Sequence, residues 1–339
     1  MKKEHVSNVQ VVPRRVACTR FEDWPKEAIR GALEWIRWEE IVPKGCRVAI
    51  KPNLTFASYK PGVTTSPEVL QALLEILKER TDRLSVVESD GGYGAHKAPE
   101  AFSGHGYDRI CEELEVELVN LCDEPSDKIV VEVKGREYAL PLPRRLLRET
   151  DVFVTMPVPK VHAMTYLSLA YKNQWGCIPD TMRLRHHYIF DEAIIAIARA
   201  LKPRICLGDG TYFLDRQGPM DGKAVGMNLI IAATDPGSFC AYVSRLMRVD
   251  WRKARHLRRA VELGDMPRDL EEVAMNVRPE DVNSRQFVLK RSLRNYCVLP
   301  AFRSGFLTYC YYESLPGLLA HKVLYFFVGK MEGTPPSLS

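Results

Sequence analysis

The sequence contains no Cys-x-x-Cys pair, no Gly-x-Gly-x-x-Gly or Walker loop, no internal repeat and no long low-complexity tract. No run of about 18 apolar residues occurs either, so no transmembrane span is expected. The first residues, MKKEHVSNVQVV, lack the apolar stretch of an export signal. Nine cysteines are present, but their odd number and irregular spacing argue against a disulfide framework. They point to reduced thiols and a cytoplasmic location. Excess charge is slight: a formal net charge of +5 over 339 residues does not call for nucleic acid. A basic run at Arg252, Lys253, Arg255, Arg258 and Arg259 reads as a solvated helix face, because no base-reading motif accompanies it.

What is present is ordinary globular composition, with 46% hydrophobic and 27% charged residues. Such a length can bury a large core without staples. Strand-like and helix-like segments alternate over the first two thirds. Strands are expected at 9–17, 47–50, 84–87, 117–120, 151–155, 205–208 and 227–233, with a hairpin at 129–140 turning on Lys134-Gly135. Helices are expected at 26–40, from Ser66 with Pro67 at its first position, around 110–114, and at 190–201 and 238–248. This alternation predicts an α/β fold with an open, mostly parallel sheet flanked by helices. The core is placed at 8–250, which could divide into two lobes meeting near 140–160. Residues 251–339 read as a helix-rich C-terminal extension, crowded with aromatics from Tyr296 to Phe327 and frayed after Gly333.

In open α/β sheets, ligands sit beyond the carboxyl ends of the strands. Chemistry-bearing residues cluster there. Lys51, followed by Pro52 and Asn53, ends a buried strand and could hold an anion as a point charge. Ser89-Asp90-Gly91-Gly92 follows another strand, where glycines would let backbone amides approach an anion; His96 lies just beyond. A third strand leads to Lys160 and His162, which face one side if extended. A short helix is expected to carry Thr165, Ser168 and Lys172, with Thr165 and Lys172 sharing a face two turns apart and Asn173 next in sequence. Clustered cations depress one another's pKa and favour a neutral, basic or nucleophilic amine. Of the adjacent His186 and His187, at most one should enter the site. Asp209 sits in Gly208-Asp209-Gly210 at the expected end of another strand, where it could orient a cation or hold a metal. Asp235 heads a helix and suits a cap.

These motifs, in this order, resemble the domain-of-unknown-function family 362: Lys51-Pro52-Asn53-Leu54, Thr64-Thr65-Ser66-Pro67-Glu68, Ser89-Asp90-Gly91-Gly92, Pro159-Lys160-Val161-His162 with Lys172-Asn173, Gly208-Asp209-Gly210 and Gly218-Pro219. The resemblance covers roughly residues 10–250. Many such proteins carry cysteine runs for iron–sulfur clusters; this chain has none, so no cluster is expected. The ten-residue separation of His162 and Lys172 is also similar to that in the nickel-pincer lactate racemases. That likeness implies that Lys172 could contact a cofactor, and that His96, His162 and His187 could supply metal ligands or proton transfer. The stretch between His162 and Lys172 departs from the racemase pattern, lacking its glycines and its arginine.

Lys160, His162 and Lys172 are thus the expected catalytic groups. Lys51, Asn53, Ser89, Gly91, Gly92, Thr165, Asn173 and Asp209 are the expected ligand contacts. The function expected is an enzyme on a small anionic metabolite, of isomerase or transferase type, in a chain that could form a homo-oligomer. The alternative is a non-catalytic anion or metal carrier that docks a partner through its C-terminal region.

Overall fold

The computed structural model describes residues 13–317 and 319. The start of the strand expected at 9–17, the aromatics beyond residue 319 and the tail after Gly333 lie outside them. Twelve strands are found among the described residues. They are β1 (Arg15–Arg20), β2 (Val48–Lys51), β3 (Leu84–Glu88), β4 (Glu117–Asn120), β5 (Ser126–Val133) and β6 (Arg136–Pro143). The rest are β7 (Val152–Thr155), β8 (Lys160–His162), β9 (Tyr166–Ser168), β10 (Ile205–Asp215), β11 (Lys223–Ala233) and β12 (Ala274–Met275).

The main sheet runs β12-β1-β11-β10-β7-β2-β3-β4. Its β10-β7-β2-β3-β4 half is parallel, and β11 pairs antiparallel with both β10 and β1. The fold is therefore α/β with a mixed, mostly parallel sheet. Two apolar clusters fill its opposite faces. The hairpin β5-β6 stands apart as a two-stranded sheet. The C-terminal segments are helical, and Ala274–Met275 adds β12 to the sheet edge beside β1.

Helical periodicity explains the covering layer. In Phe190–Leu201, Phe190, Ala193, Ile194, Ile197, Ala198 and Leu201 are buried, the i, i+3, i+4 stripe of an amphipathic helix. Pro203 then stops it, since proline disfavours helical backbone in the residue before it. Pro67–Leu77 buries seven side chains, each large aliphatic one stabilising by about 1.5–3 kcal/mol.

Four segments depart from expectation. The first strand begins after Pro13, which has no amide to donate, and extends to Arg20. The helix expected over 26–40 breaks: Lys26–Trp35 and Trp38–Ile41 are separated at Arg37, whose φ is 63°. At 3.6 residues per turn, Trp38 would lie about 140° around the helix from Leu33, off its buried face; the break lets Trp38 and Ile41 both turn inward. The strand expected to end at Gly208 instead runs on to Asp215, so Gly208-Asp209-Gly210 is internal to β10. Gly208 is there for packing, since the Phe239 ring lies 2.6 Å from where a Cβ would stand. Finally, the helix expected to carry Thr165, Ser168 and Lys172 is a hairpin followed by one helical turn. Val161 and Leu167 are both fully buried and pair across β8 and β9, while Ala170–Asn173 alone is helical. The supposed shared face of Thr165 and Lys172 does not exist.

No helix among the described residues is long and apolar enough to cross a membrane.

Candidate functional site

Strand order reverses beside β2: the chain proceeds outward through β3 and β4, then returns to place β7 on the other side. That makes the carboxyl ends of β2 and β7 a topological switch point. Asn173 spans it, donating through Nδ2 to the Lys51 carbonyl (3.1 Å) and to Thr155 Oγ1 (2.8 Å). A cavity of about 400 Å³ opens there, within the range of small-ligand sites.

Most of the sequence-predicted residues line it. Lys51 and Asn53 come from the end of β2, and Ser89, Gly91, Gly92 and His96 from the loop after β3. Lys160 and His162 project from β8, opposite Ser168 of β9, and Lys172 and Asn173 from the helical turn. His187 reaches the cavity and His186 does not. Thr165 and Asp209 do not line it. Thr165 lies in the hairpin turn, facing a smaller adjoining recess. Asp209 is consumed by the scaffold: its carboxylate accepts from the Ser66 amide (2.6 Å) at the head of Pro67–Leu77 and from Thr211 N (3.0 Å) and Oγ1 (2.7 Å). Asp209→Asn puts an amide NH₂ among these donors and is expected to cost about 1–3 kcal/mol in urea denaturation. Asp235 is a cap as expected, accepting from Ser238 N at 2.8 Å.

The electrostatics come from what is paired and what is not. Lys51 is almost wholly buried and donates to Glu88 Oε2 at 2.8 Å, so the expected anion holder already has a carboxylate. Gly176 permits that pair: a Cβ there would lie 2.9 Å from Lys51 Nζ and 3.1 Å from Glu88 Oε1. The loop after β3 is likewise committed. Gly91 N donates to the His96 carbonyl, Tyr93 N to Thr181 and Gly94 N to Gly91, so the turn offers no row of free amides to an anion.

Lys160, Lys172 and Arg183 differ. None makes an ion pair with a carboxylate among the described residues, although Glu88, Asp180 and Asp90 act on Arg183, and Asp209 on Lys160, from farther off. Lys160 is buried and donates to the Val63 carbonyl. Burial, then Lys172, push its amine well below the usual lysine range. Arg183 is buried and, among the described residues, donates only to the carbonyls of Asp180 (3.1 Å) and Asp90 (2.9 Å). Lys172 is half-buried beside the Phe190 ring at 6.0 Å, and burial together with Arg183 lowers its pKa to about 8.

His162 Nδ1 accepts from the amides of Met164 (3.1 Å) and Thr165 (3.3 Å). The neutral ring therefore carries its proton on Nε2. Burial and then Lys172 and Lys160 hold its pKa well below the ordinary value. His162 is thus a fixed donor, with neither nitrogen offering a free lone pair to a metal. His96 accordingly donates through Nε2 to the Leu54 carbonyl at 3.3 Å when that nitrogen carries the proton. His187 is stacked between Phe302 (3.9 Å) and Trp175 (5.7 Å). Among the described residues, no three His, Cys, Asp or Glu side chains gather as a ligand set. The expected metal trio of His96, His162 and His187 is not assembled.

Sequence reasoning missed Glu88 and Arg183. Glu88 was signalled: β2 and β3 are buried strands ending in opposite charges, which parallel neighbours bring together. Arg183 sits in a seven-residue 3-10 helix, Arg183–Ile189, with no motif of its own.

The family model described as "Domain of unknown function (DUF362)" matches residues 48–242, more than half of the chain. The chain belongs to this family. The thylakoid-associated protein sll1697 of Synechocystis is 27% identical over 225 residues, which cover 62% of this chain and 65% of that protein. Among solved structures, a Thermotoga maritima protein is similar at 15% identity, with a TM-score of 0.40, covering 72% of this chain and 60% of the other. Within the DUF362 region lie all the cavity-lining residues except Val298, Phe302 and Tyr312. The DUF362 portion therefore supplies the charged walls, and the C-terminal segment adds an aromatic cover.

Proposed function

We propose that this DUF362 protein is an enzyme acting on a small carboxylate or phosphate metabolite, with Lys172 as base or nucleophile. One observation carries the reading: three buried or half-buried cations, Lys160, Lys172 and Arg183, line a ligand-sized cavity and make no ion pair with a carboxylate among the described residues. Buried charge without a counter-ion is costly, and an anionic ligand removes that cost. Arg183, its acceptors limited to two carbonyls, suits carboxylate or phosphate oxygens.

The chemistry follows from protonation states. An amine with a pKa of about 8 is partly neutral near pH 7.5. It can take a proton from carbon adjacent to a carboxylate, or attack a carbonyl, while remaining a competent acid for the return step. His162 Nε2–H can donate to oxygen that gains negative charge, the part a fixed neutral imidazole plays best.

The test is a thermal-shift screen of carboxylated and phosphorylated metabolites beside uncharged isosteres. Hits are then followed by NMR in D₂O for exchange at the carbon adjacent to the anion, or for product. An anion at 100 times its Kd should add about 2.7 kcal/mol of stability. Lys172→Ala and His162→Ala should each lower turnover by roughly 100-fold or more. Folded variants that keep full activity would sink the assignment.

A carrier role is the second reading. It is favoured by Leu293, Phe306 and Leu315, which lie more than 70% exposed on the C-terminal segment at 86%, 73% and 77%. Binding without turnover, in a protein that passes its ligand to a partner, would select it.

A further inference from the structure

Behind the partition formed by His187 and Phe302 lies a second, smaller recess. It shares Met164, His187 and Phe302 with the main cavity. Its remaining walls bring together Lys253, Arg255, Arg291 and Arg303, with Asp191 as the single carboxylate. Asp191 is taken by Arg255 at 2.8 Å. Lys253, Arg291 and Arg303 make no ion pair with a carboxylate among the described residues, although Arg303 acts on Asp191 from farther off.

Arg291 and the exposed Lys253 are held against the chain, while Arg303 is exposed. Arg291 Nε donates to the Ala163 carbonyl (2.6 Å), and its guanidinium lies 6.0 Å from the Tyr166 ring centre. Lys253 Nζ approaches the same ring at 5.7 Å. Three like charges around one recess repel each other, and an anion among them reverses that energy. The His187 ring, stacked on Phe302, carries a buried Nδ1 without a hydrogen-bond partner. It is a polar group at the boundary of the two spaces.

All four cations lie outside the family-matched residues 48–242. The main cavity is built from the part of the chain matched by the family; the recess is built on it by the C-terminal segment. We propose that this recess is a second anion subsite, and that the ligand is a molecule with two anionic groups. One group would lie against Lys160, Lys172 and Arg183, the other against Lys253, Arg291 and Arg303, with a short linker crossing at His187 and Phe302. The proposal rests on the reading of the main cavity as an anion site.

Calorimetry with probes of graded length tests it. The single anions are acetate and inorganic phosphate; the double anions are linear dicarboxylates and alkane bisphosphonates of increasing chain length. Linking two binding groups at the right separation should raise affinity at least about tenfold over the matching single anion, at one preferred length. The double variant Arg291→Gln/Arg303→Gln should erase that gain and bring each double anion down to the affinity of its matching single anion. Lys253→Gln gives an independent reading should the arginine pair prove necessary for folding. If single anions bind and no double anion binds better, or the gain survives in both variants, the second subsite is refuted and the main-cavity reading stands. If neither class binds, the main-cavity reading falls and the subsite with it.

Discussion

Replacing Lys51 by methionine should cost about 3–5 kcal/mol of folding stability, measured by urea denaturation. The side chain is 2% exposed and its Glu88 partner 5%. Losing the ammonium leaves a carboxylate buried at the end of β3 with the amides of Ser89 (3.0 Å) and Leu54 (3.3 Å) as its remaining donors. Those two bonds cannot replace a full charge at 2.8 Å. The double variant Lys51→Met/Glu88→Gln should recover most of the loss, because a buried pair removed together leaves no orphaned charge. A single variant within about 1 kcal/mol of the parent would mean that Glu88 finds another cation, and that Lys51 is free to serve a ligand. The expected result assigns the pair to the scaffold. It locks the ends of β2 and β3 together, directly below the cavity, and leaves anion binding to the unpaired cations.

This division of labour was only partly legible in the sequence. Buried strands followed at once by Lys, Ser-Asp-Gly-Gly or Lys-Val-His announce a parallel sheet with its chemistry at the carboxyl ends. That inference needs only strand direction. It brought Lys51, Ser89, Gly92, Lys160, His162 and Lys172 to one cavity correctly. What sequence spacing could not reveal was which polar groups satisfy one another. Asp209 looks like a strand-end residue until β10 is seen to continue past it to Asp215, which turns its carboxylate toward the Ser66 amide. The residues from Thr165 to Lys172 read as a short helix in sequence. The tight pairing of Val161 with Leu167 decides for a hairpin, and that is a tertiary fact. His162 carries metal-ligand chemistry as a residue type, yet two backbone amides aimed at Nδ1 make it a donor. Arg183 became visible only when folding brought its segment against the loop after β3.

Lys172→Met should do the opposite of Lys51→Met: at pH 7 and without ligand it should stabilise the protein, by roughly 2–3 kcal/mol. The folded-state pKa of about 8 lies below the ordinary lysine value of 10.5. Below pH 8 both states hold the proton, and the folded state bears the full cost of burying it. Between pH 8 and 10.5 the unfolded chain binds more protons than the folded one, so stability rises with pH. Above 10.5 both amines are neutral and the cost is gone. Methionine has no such cost at any pH, so its advantage should shrink through that window and vanish at its upper end. Against this stands the lost contact with Phe190. At 6.0 Å it lies at the outer limit of a useful cation–π interaction, worth about 0.5–1 kcal/mol, and a thioether retains part of it. The cost of burying the ammonium exceeds that contact and decides the sign. Urea denaturation of both proteins from pH 7 to 10.5 reads the difference directly, and a less stable Lys172→Met at pH 7 would make Lys172 a packing residue. With a bound anion the order should tighten or reverse, since the ligand supplies the missing counter-charge only to the lysine form. A residue that destabilises the empty protein and is rewarded on binding is kept for its chemistry, as stability is commonly sacrificed at functional sites.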